Sequence, residues 1–357
     1  MDDVLQSTHF QGLIQQLIAD PCLDQNLGWP NAQLRMMADA GVMQWDIPIE
    51  FGGTDLPSTT LIEALRQMAS ACLTSTFVWT QRSAAVRRIA TSSNAEVKDR
   101  LLPALRSGDL FATVGISHLT TSGQHLKKPL VEIREHGADY IVSGLVPWST
   151  GATMADVLVT GGALQDGRQM LVSIPTNSEG VQAKTPVELM ALNASQTGAV
   201  ELSEVRVSAS NVLHGPIENV MSQGTGGGAG SLGTSALAIG AACGSIRQFA
   251  EEATKRPDLN DYVVPLQSEC DQLTEELHQA ASGSHPLGSA AGEQLRRRAN
   301  SLAMRAAQSW LAATKGAGFV AGHPAERAVR ESMFFLVWSC PQPVLHGNLS
   351  ELTCTLG

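Results

Sequence analysis

The segments of this chain that favour β-strands lie together in its middle. Short apolar or alternating runs, divided by Gly, Asp and Pro, fill the part from Leu110 to Leu213, including YIVSGLVPW, DVLVTGGAL and GAVELSEVRV. Before and after this part, apolar residues recur at helical spacing. Because the strands of a doubly wound parallel sheet alternate with helices along the chain, this order argues against that fold. The sequence predicts an α+β protein with an N-terminal helical bundle, a middle antiparallel β-barrel or sheet and a C-terminal helical bundle.

Apolar stripes predict the helices of the first part. One stripe runs from Phe10 to Ile18, and a second ends at Gly41. A third runs from Leu61 to Cys72, with Ser58 or Thr59 as its N-cap. A further helix is predicted from about Ala95 to Leu105, ending at Ser107-Gly108. The N-terminal helical domain is therefore expected to cover residues 1–109, ahead of a middle β domain over residues 110–214.

The C-terminal part, residues 215–357, is expected to be a second helical domain. The segment SALAIGAACGSIRQFAEEATKR predicts a long helix with a small-residue face from Ser235 to Gly244. This face allows close packing of another helix, either within one subunit or across two. Two further stripes run from Leu266 to Ala280 and from Leu295 to Ala313. A shorter helix is predicted from about Ala325 to Trp338.

Composition and charge exclude several classes of protein. The formal net charge of -10 argues against bulk attraction to nucleic acid or to an anionic membrane. No apolar run approaches the roughly 20 residues of a membrane span, and the N-terminus lacks the features of a signal peptide. The six cysteines are scattered and form no C-x-x-C pair. We therefore expect a cytoplasmic protein with reduced thiols.

Two glycine-rich segments match the dinucleotide-binding pattern in letters alone. GAGSLG, at residues 228–233, and GAGFVA, at residues 316–321, fit G-x-G-x-x-G/A. That pattern binds a dinucleotide in a strand–turn–helix, and neither segment follows a buried strand. A loop that enters a helix explains the first segment, and a helix C-cap explains the second.

Three histidines and an arginine run suggest other sites, each with a simpler explanation. The spacing of His118, His125 and His136 is not that of metal ligands on one helix turn, so no metal is expected. Ser117 and His118 are neighbours on a predicted strand, where adjacent side chains point to opposite faces, so they do not predict a hydrolase. The arginines at 296–298 predict a solvated helix face or, alternatively, a phosphate-binding patch.

Five segments, in their order and spacing, resemble the acyl-CoA dehydrogenase family of flavoproteins over nearly the whole chain. Each segment alone is weakly specific for this family, whereas the order and spacing of all five segments are much more specific for it. The segments are WDIPIEFGGTDLP (residues 45–57), LLPALRSGDLFATVGIS (101–117), YIVSGLVPWSTGATMADVLVTG (140–161), GAVELSEVRVSASNVL (198–213) and KGAGFVAGHPAERAVRES (315–332).

The resemblance implies FAD, held between the middle sheet and the C-terminal helices with help from another subunit. Trp148 matches the tryptophan that packs against the flavin ring, although plain core packing is an alternative. Ser149 and Thr150 fall where backbone and hydroxyl groups meet the flavin edge. Gly316 and Gly318 match the loop that approaches the phosphate and ribose portion. Arg256 lies near the position of an arginine that reaches the FAD of a partner subunit, but the residues after it differ from the family pattern.

Two departures from the family concern carboxylates. The segment that usually reads Thr-Glu-Pro and Gly-Ser-Asp is GISHLTTSG here, so Ser117, His118, Thr120 and Thr121 are candidate substitutes for its contacts. Counting from the E-R-x-x-R segment, Ser339 stands where the family has the Glu that removes the substrate α-proton, and Cys340 stands at the next position.

The remaining candidates for a catalytic base are weak. The start of the long helix, where some relatives carry the base, reads GGGAGSLGTS and offers no acid. Cys340 would need a cation or a helix end to lower its pKa. The imidazole of His118 is the best remaining candidate, since its reference pKa lies near neutral.

The expected function is an FAD-dependent oxidoreductase that acts on a small-molecule substrate, such as an acyl-CoA, with an atypical base. One alternative is a flavin-dependent monooxygenase of the same fold, which needs no α-proton base. Another is a non-catalytic protein that keeps the fold for binding. The resemblance also implies a homodimer or homotetramer, and an electron-transfer flavoprotein or a flavin reductase as the redox partner.

Overall fold

The structure, a computed structural model, describes residues 3–21, 28–120, 128–222, 232–283 and 289–354. His125 and most of the glycine-rich segment 228–233 lie outside these residues. Within the described part, no helix combines the length and the apolar character that crossing a bilayer requires.

Helices make up the N-terminal part. Glycines in the left-handed conformation follow two of the predicted helices, at Gly41 and Gly108, as the sequence predicts. Ser58 is the first helical residue rather than the cap of its helix, and the capping position is taken by Pro57, so that prediction is wrong. The helices are α1 (Asp3–Gln6), α2 (Thr8–Ala19), α3 (Asn31–Asp39), α4 (Ser58–Ala71), α5 (Leu73–Ala90) and α6 (Ala95–Ser107).

One mixed sheet follows. Its strand order is β6-β7-β3-β2-β4-β5-β8, and β1 pairs with β4. The elements are β1 (Ala112–Val114), α7 (Ser117–Thr120), β2 (Val131–His136), β3 (Asp139–Ser149), β4 (Val157–Ala163), β5 (Gln169–Pro175), β6 (Val181–Ala183), β7 (Gly198–Val207) and β8 (Val212–Ile217). Most pairs are antiparallel as predicted, but β4 lies parallel to β1 and, at one residue pair, to β2.

Five helices complete the described chain: α8 (Leu232–Lys255), α9 (Asn260–Ala281), α10 (Ser289–Gly318), α11 (Pro324–Val337) and α12 (Gln342–Leu352). Lys315 interrupts α10 with a φ of 55°, so the glycine-rich segment after it is the irregular end of a helix. The prolines after Cys340 do not end the helical part, because Pro341 caps α12.

The two helical parts share one hydrophobic core and do not form two separate bundles. Leu13 and Met68 from the first part are buried in the same cluster as Ile246, Leu273 and Leu302 from the second. The sheet has a core of its own, and a third cluster joins α5 and α6 to β1 and β4. The sheet therefore packs against the side of a single helical body.

The small-residue face of α8 packs within the subunit. A Cβ on Gly240 would collide with the carbonyl oxygen of Arg66, and one on Gly244 with that of Ser70, both on α4. Glycine at these positions lets α4 and α8 approach each other closely. The sequence leaves open whether this face packs within one subunit or across two, and the contact with α4 shows packing within one subunit.

The expectation that all thiols are reduced needs one correction. A disulfide joins Cys243 on α8 to Cys270 on α9, with the two Cα atoms 6.6 Å apart. The sequence separation of 27 residues gives no local signal for this pair. The packing of α8 against α9 brings the two cysteines together.

Candidate functional site

A cavity of about 1030 Å³ lies between the helical body and one end of the sheet. The helices α4, α5, α8 and α11 supply one side of its lining. The end of β3, the segment from β1 to α7 and the turn before β7 supply the other. A cavity of this size is at the upper end of the range for cofactor and substrate sites.

Trp148 and Thr150 line the cavity where β3 ends. The pairing of β3 with β7 is irregular between Val146 and Ser149, and within this irregular stretch Trp148 keeps 49% of its surface exposed. The Thr113 hydroxyl donates to the Thr150 carbonyl oxygen over 2.6 Å. An exposed indole therefore stands beside a hydroxyl residue whose backbone is fixed, and the roles of both in holding a flat ring stay predictions.

Three hydroxyl groups form a chain beside this indole. The Oγ1 atoms of Thr150 and Thr197 lie 3.2 Å apart, and the Oγ of Ser195 lies 2.8 Å from Thr197 Oγ1. The turn that carries this chain holds Leu192 and Gln196 at φ values of 63° and 48°. Backbone strain of this kind in non-glycine residues concentrates at functional sites. Thr197 is a site residue that sequence reasoning missed, because only the fold brings it to Thr150.

Two further hydroxyl groups have no protein partner among the described residues. The Oγ atoms of Ser117 and Ser149 are both buried and unpaired there. Ser117 also lines the cavity. Because a buried polar atom without a partner costs free energy, the Ser117 hydroxyl on the cavity suits a ligand that supplies the missing hydrogen bond.

His118 does not line the cavity in the described part of the chain. Ser117 and His118 lie on the short helix α7 and not on a strand, contrary to prediction. The Nε2 of His118 donates to the carbonyl oxygen of Gly161 over 2.8 Å, and burial lowers the pKa of the imidazole despite this bond. The role of His118 as a base stays a prediction, and this geometry gives it no support.

The opposite end of the cavity is aromatic. Phe77, Phe334 and Trp338 line it together with Leu61 and Leu65 of α4. The three aromatic rings lie with their centroids 4.9–5.2 Å apart. Helix α5, which carries Phe77, was not predicted from the sequence, because its buried residues lie all around it and leave no single apolar stripe.

Ser339 lines the cavity directly after Trp338. It adopts a φ of 46°, in the left-handed region. The position predicted to correspond to the family's glutamate therefore lines the cavity, and its side chain here is a hydroxyl group.

The charged side chains that line the cavity are all cations in the described part of the chain. They are Arg87, Arg88 and Arg330. Arg87 pairs with Asp46 over 2.7 Å, and Arg330 is held by Glu326 over the same distance. Burial, with help from Arg87, lowers the pKa of Arg88 to about 10, so it stays charged at neutral pH.

No Asp or Glu is among the described lining residues. Among the described lining residues, none therefore offers a carboxylate to remove a proton from a ligand.

Cys340 does not replace the missing carboxylate. It is not among the described residues that line the cavity, and burial raises the pKa of its thiol although the nearby charge of Arg296 opposes this. Arg296 itself is fully buried, so the prediction of a solvated face at 296–298 is wrong for this residue. Arg298, in contrast, forms a surface pair with Glu276.

Three predicted cofactor contacts lie away from the cavity. Arg256 donates to the carbonyl oxygen of Ala313 over 2.8 Å, and neither it nor Gly316 or Gly318 is among the described lining residues. A Cβ at Gly316 would meet nothing, whereas one at Gly318 would collide with Thr314. The roles of all three residues stay predictions, and only the one for Arg256 concerns the FAD of a partner subunit. No group of three His, Cys, Asp or Glu side chains suited to a metal ion occurs in the described part.

The fold defines the class of protein. The structure superposes on butyryl-CoA dehydrogenase from Megasphaera elsdenii with a TM-score of 0.83 and 15% identity, covering 99% of each chain. The order of a helical part, a mixed sheet and a second helical part along the chain is thus that of the acyl-CoA dehydrogenase fold, and the predicted fold class is confirmed.

Sequence comparisons agree with the fold. Residues 15–109 match the family model of the acyl-CoA dehydrogenase N-terminal domain. A probable acyl-CoA dehydrogenase of Bacillus subtilis (strain 168) is 24% identical over 255 residues, 69% of this chain and 66% of the relative. The mouse short-chain specific acyl-CoA dehydrogenase is 23% identical over 54% of this chain and 48% of its own length. The chain thus spans about half to two thirds of these relatives, and its recognition as an acyl-CoA dehydrogenase-like protein is confirmed.

The residues of the cavity fit the FAD that this fold implies. A flat ring system can pack on the half-exposed indole of Trp148. The hydroxyl group of Thr150 lies beside this indole on the cavity. The hydroxyl of Ser117, which has no hydrogen-bond partner within the described part of the chain, lies on the same cavity. The volume leaves room for a ring system and a substrate side by side.

Proposed function

We propose that this protein is an FAD-dependent oxidoreductase that acts on an acyl thioester or a similar small molecule without a carboxylate base. The observation that carries the proposal is a large cavity with Trp148 and Thr150 at one end and Ser339 at the other. The confirmed fold and the relatives support the cofactor and the class of substrate.

The protein residues would bind, orient and enclose the reactants. When bound, FAD supplies a two-electron acceptor for the reaction. Trp148 would pack against the ring system, and Thr150 would donate to its polar edge. The apolar residues Leu61, Leu65 and Phe334 would exclude water from the reacting part of the substrate.

A flavin-dependent monooxygenase is the second candidate. The lack of Asp and Glu among the described lining residues favours it, because removal of an α-proton requires a general base whereas monooxygenation does not. Arg88, which lines the same cavity and stays charged at neutral pH, suits an anionic group on either kind of substrate.

The redox partner and the oligomeric state are part of the same proposal. An electron-transfer flavoprotein would accept electrons from a dehydrogenase, whereas a flavin reductase would supply them to a monooxygenase. We propose a homodimer or homotetramer, because Phe319 and Val320 expose 81% and 63% of their surface beside Gly316 and Gly318. Another subunit would cover these side chains.

The first experiment is the visible absorbance spectrum of the purified protein, followed by anaerobic titration with a panel of acyl-CoA esters. Bleaching of the flavin by an ester identifies a dehydrogenase. Oxygen consumption driven by NAD(P)H and a flavin reductase, without bleaching by any ester, identifies the monooxygenase. A protein that holds no flavin after incubation with FAD contradicts both candidates.

A substitution at Ser339 separates the chemistry from the binding. Ser339→Glu restores a carboxylate on the cavity wall, and the side chain already present has a Cβ in this left-handed conformation. If the missing base limits flavin reduction, Ser339→Glu raises its rate by about 10²–10⁴-fold. The matched control, Ser339→Gln, has the same size without the charge and leaves the rate unchanged. Equal rates in both variants contradict the role assigned to this position.

A further inference from the structure

The aromatic end of the cavity is built as a continuous wall. The centroids of Phe77 and Phe334 lie 4.9 Å apart and those of Phe77 and Trp338 lie 5.2 Å apart, both edge to face. The rings of Phe334 and Trp338 stack at 5.0 Å with 13° between their planes. We refer to Phe77, Phe334 and Trp338 as the aromatic wall.

The aromatic wall faces the cavity and is not simply core. Phe334 and Trp338 keep part of their surface accessible, whereas the next residue along α11, Phe335, is fully buried and does not line the cavity. Val337, 77% exposed, and Met190, 62% exposed, line the same cavity and mark where it opens to solvent. A small molecule can therefore reach the rings from outside.

Contacts with Arg296, which is not among the described residues lining the cavity, make the wall rigid. The fully buried Arg296 donates to the carbonyl oxygen of Trp338 over 3.3 Å. Its guanidinium lies 5.9 Å from the centre of the Trp338 ring and 5.6 Å from that of Phe335. The backbone amide of Trp338 also donates to the carbonyl oxygen of Phe334 over 2.9 Å. A wall fixed in this way selects ligands by shape, because it does not rearrange to suit a different one.

We propose that the aromatic wall binds a planar aromatic ring on the acyl portion of the substrate. The inference rests on the proposed function and narrows its substrate class to aromatic acyl groups. Aromatic rings in contact gain stabilisation beyond the area they bury when they meet edge to face or offset. A straight acyl chain of the same size buries a similar apolar area but gains no additional stabilisation from contact between aromatic rings. Ser339, next to Trp338, would then face the atoms between the ring and the thioester.

The test compares three CoA esters with the same number of acyl carbon atoms: phenylacetyl-CoA, cyclohexylacetyl-CoA and octanoyl-CoA. Their affinities for the protein are measured by calorimetry after incubation with FAD, whether or not the protein retains the flavin. Phenylacetyl-CoA is expected to bind about two- to tenfold more tightly than octanoyl-CoA, and the non-planar ring to fall between them. Equal affinities, tighter binding of octanoyl-CoA, or binding of none of the three overturns the inference.

Substitutions in the aromatic wall test whether the preference for phenylacetyl-CoA arises from its rings. Phe334→Leu keeps an apolar side chain and is expected to remove most of the preference for the phenyl ester. The matched control is Phe10→Leu, which removes a buried ring of α2 that is not among the described residues lining the cavity, and which should keep the preference. If circular dichroism shows that Phe334→Leu does not fold, Phe77→Leu takes its place. A preference that survives both wall substitutions contradicts the inference.

The outcome is independent of whether the proposed redox function holds. A colourless protein that still prefers phenylacetyl-CoA would contradict the flavin chemistry and keep the inference. A flavoprotein that is bleached by octanoyl-CoA and binds it best would keep the proposed function and contradict the inference.

Discussion

The hydroxyl oxygens of Thr150 and Thr197 lie 3.2 Å apart on the cavity wall, and Ser195 continues the chain from Thr197 at 2.8 Å. Thr197 and Ser195 are buried, and this chain of hydrogen bonds holds the Thr150 hydroxyl in place. A hydroxyl held in this way has few orientations and can present its proton in a fixed direction.

Thr197→Val is expected to loosen this arrangement. The substitution leaves the hydroxyls of Thr150 and Ser195 without their shared partner, which lowers the free energy of unfolding by about 1–3 kcal/mol. Urea denaturation measures this loss. The reduction potential of bound FAD is expected to shift as well, because the donor at the ring edge is no longer fixed.

Thr176→Val is the control for this prediction. The Thr176 hydroxyl donates to the carbonyl oxygen of Ala155 over 2.6 Å and is not among the described residues that line the cavity. Its loss should lower stability without moving the flavin potential. Identical potentials in both variants would show that Thr197 has a structural role alone.

Glu63 on α4 is predicted to contribute stability that depends on pH. Burial would raise the pKa of Glu63, but hydrogen bonds from His278 and Arg66, and the charge of Arg66, lower it to about 2 from 4.5. Since the folded pKa is the lower one, the contribution is complete above about pH 4.5 and is lost as the pH falls towards about 2. Lowering the pKa from 4.5 to about 2 corresponds to a contribution of about 3 kcal/mol.

Glu63→Gln is the variant that tests this network. It should lower the free energy of unfolding at neutral pH and flatten its fall between pH 4.5 and pH 2. The exposed Glu96, paired with Arg100 at 3.9 Å, provides the control Glu96→Gln, which should change little. Acid denaturation curves that are the same for Glu63→Gln and the parent protein would refute the assignment.

The disulfide between Cys243 and Cys270 is predicted to stabilise the packing of α8 on α9. Closing a loop of 27 residues restricts the unfolded chain by about 3–4 kcal/mol in the chain-entropy description. Reduction should lower the midpoint of thermal unfolding, and Cys243→Ser should be insensitive to reductant. Peptide mapping without reduction should recover the two cysteine peptides joined. Their recovery as separate thiols would contradict the pairing.

The sequence predicts the order of the elements because that order depends on local periodicity. The stripe from Leu61 to Cys72 and the alternation in GAVELSEVRV report which face of each element is buried. Helix α5 was missed because residues such as Thr74, Trp79 and Arg82 are buried on all sides of it, so no stripe marks it. The parallel pairing of β1 with β4 was missed because pairing between distant strands leaves no local pattern.

The candidate site could be predicted in part. Trp148, Thr150 and Ser339 were identified by resemblance, and the structure places all three on one cavity. Thr197 and Phe77 were not identified, because their roles depend on packing between distant segments. The chemistry of the imidazole predicts His118 as the catalytic base. The fold instead directs its Nε2 to the carbonyl oxygen of Gly161 and not to the cavity.

The most direct test of the central claim is FAD binding by the parent protein and by Trp148→Leu. Trp148 is half exposed, so its replacement should leave the thermal unfolding of the apoprotein nearly unchanged. The account predicts that the parent protein retains FAD through gel filtration, with a visible flavin spectrum, and that Trp148→Leu binds FAD at least tenfold more weakly, as expected for the loss of about 1.4 kcal/mol of ring contact. A colourless parent protein after incubation with FAD, or equal affinity in the two proteins, would contradict the account.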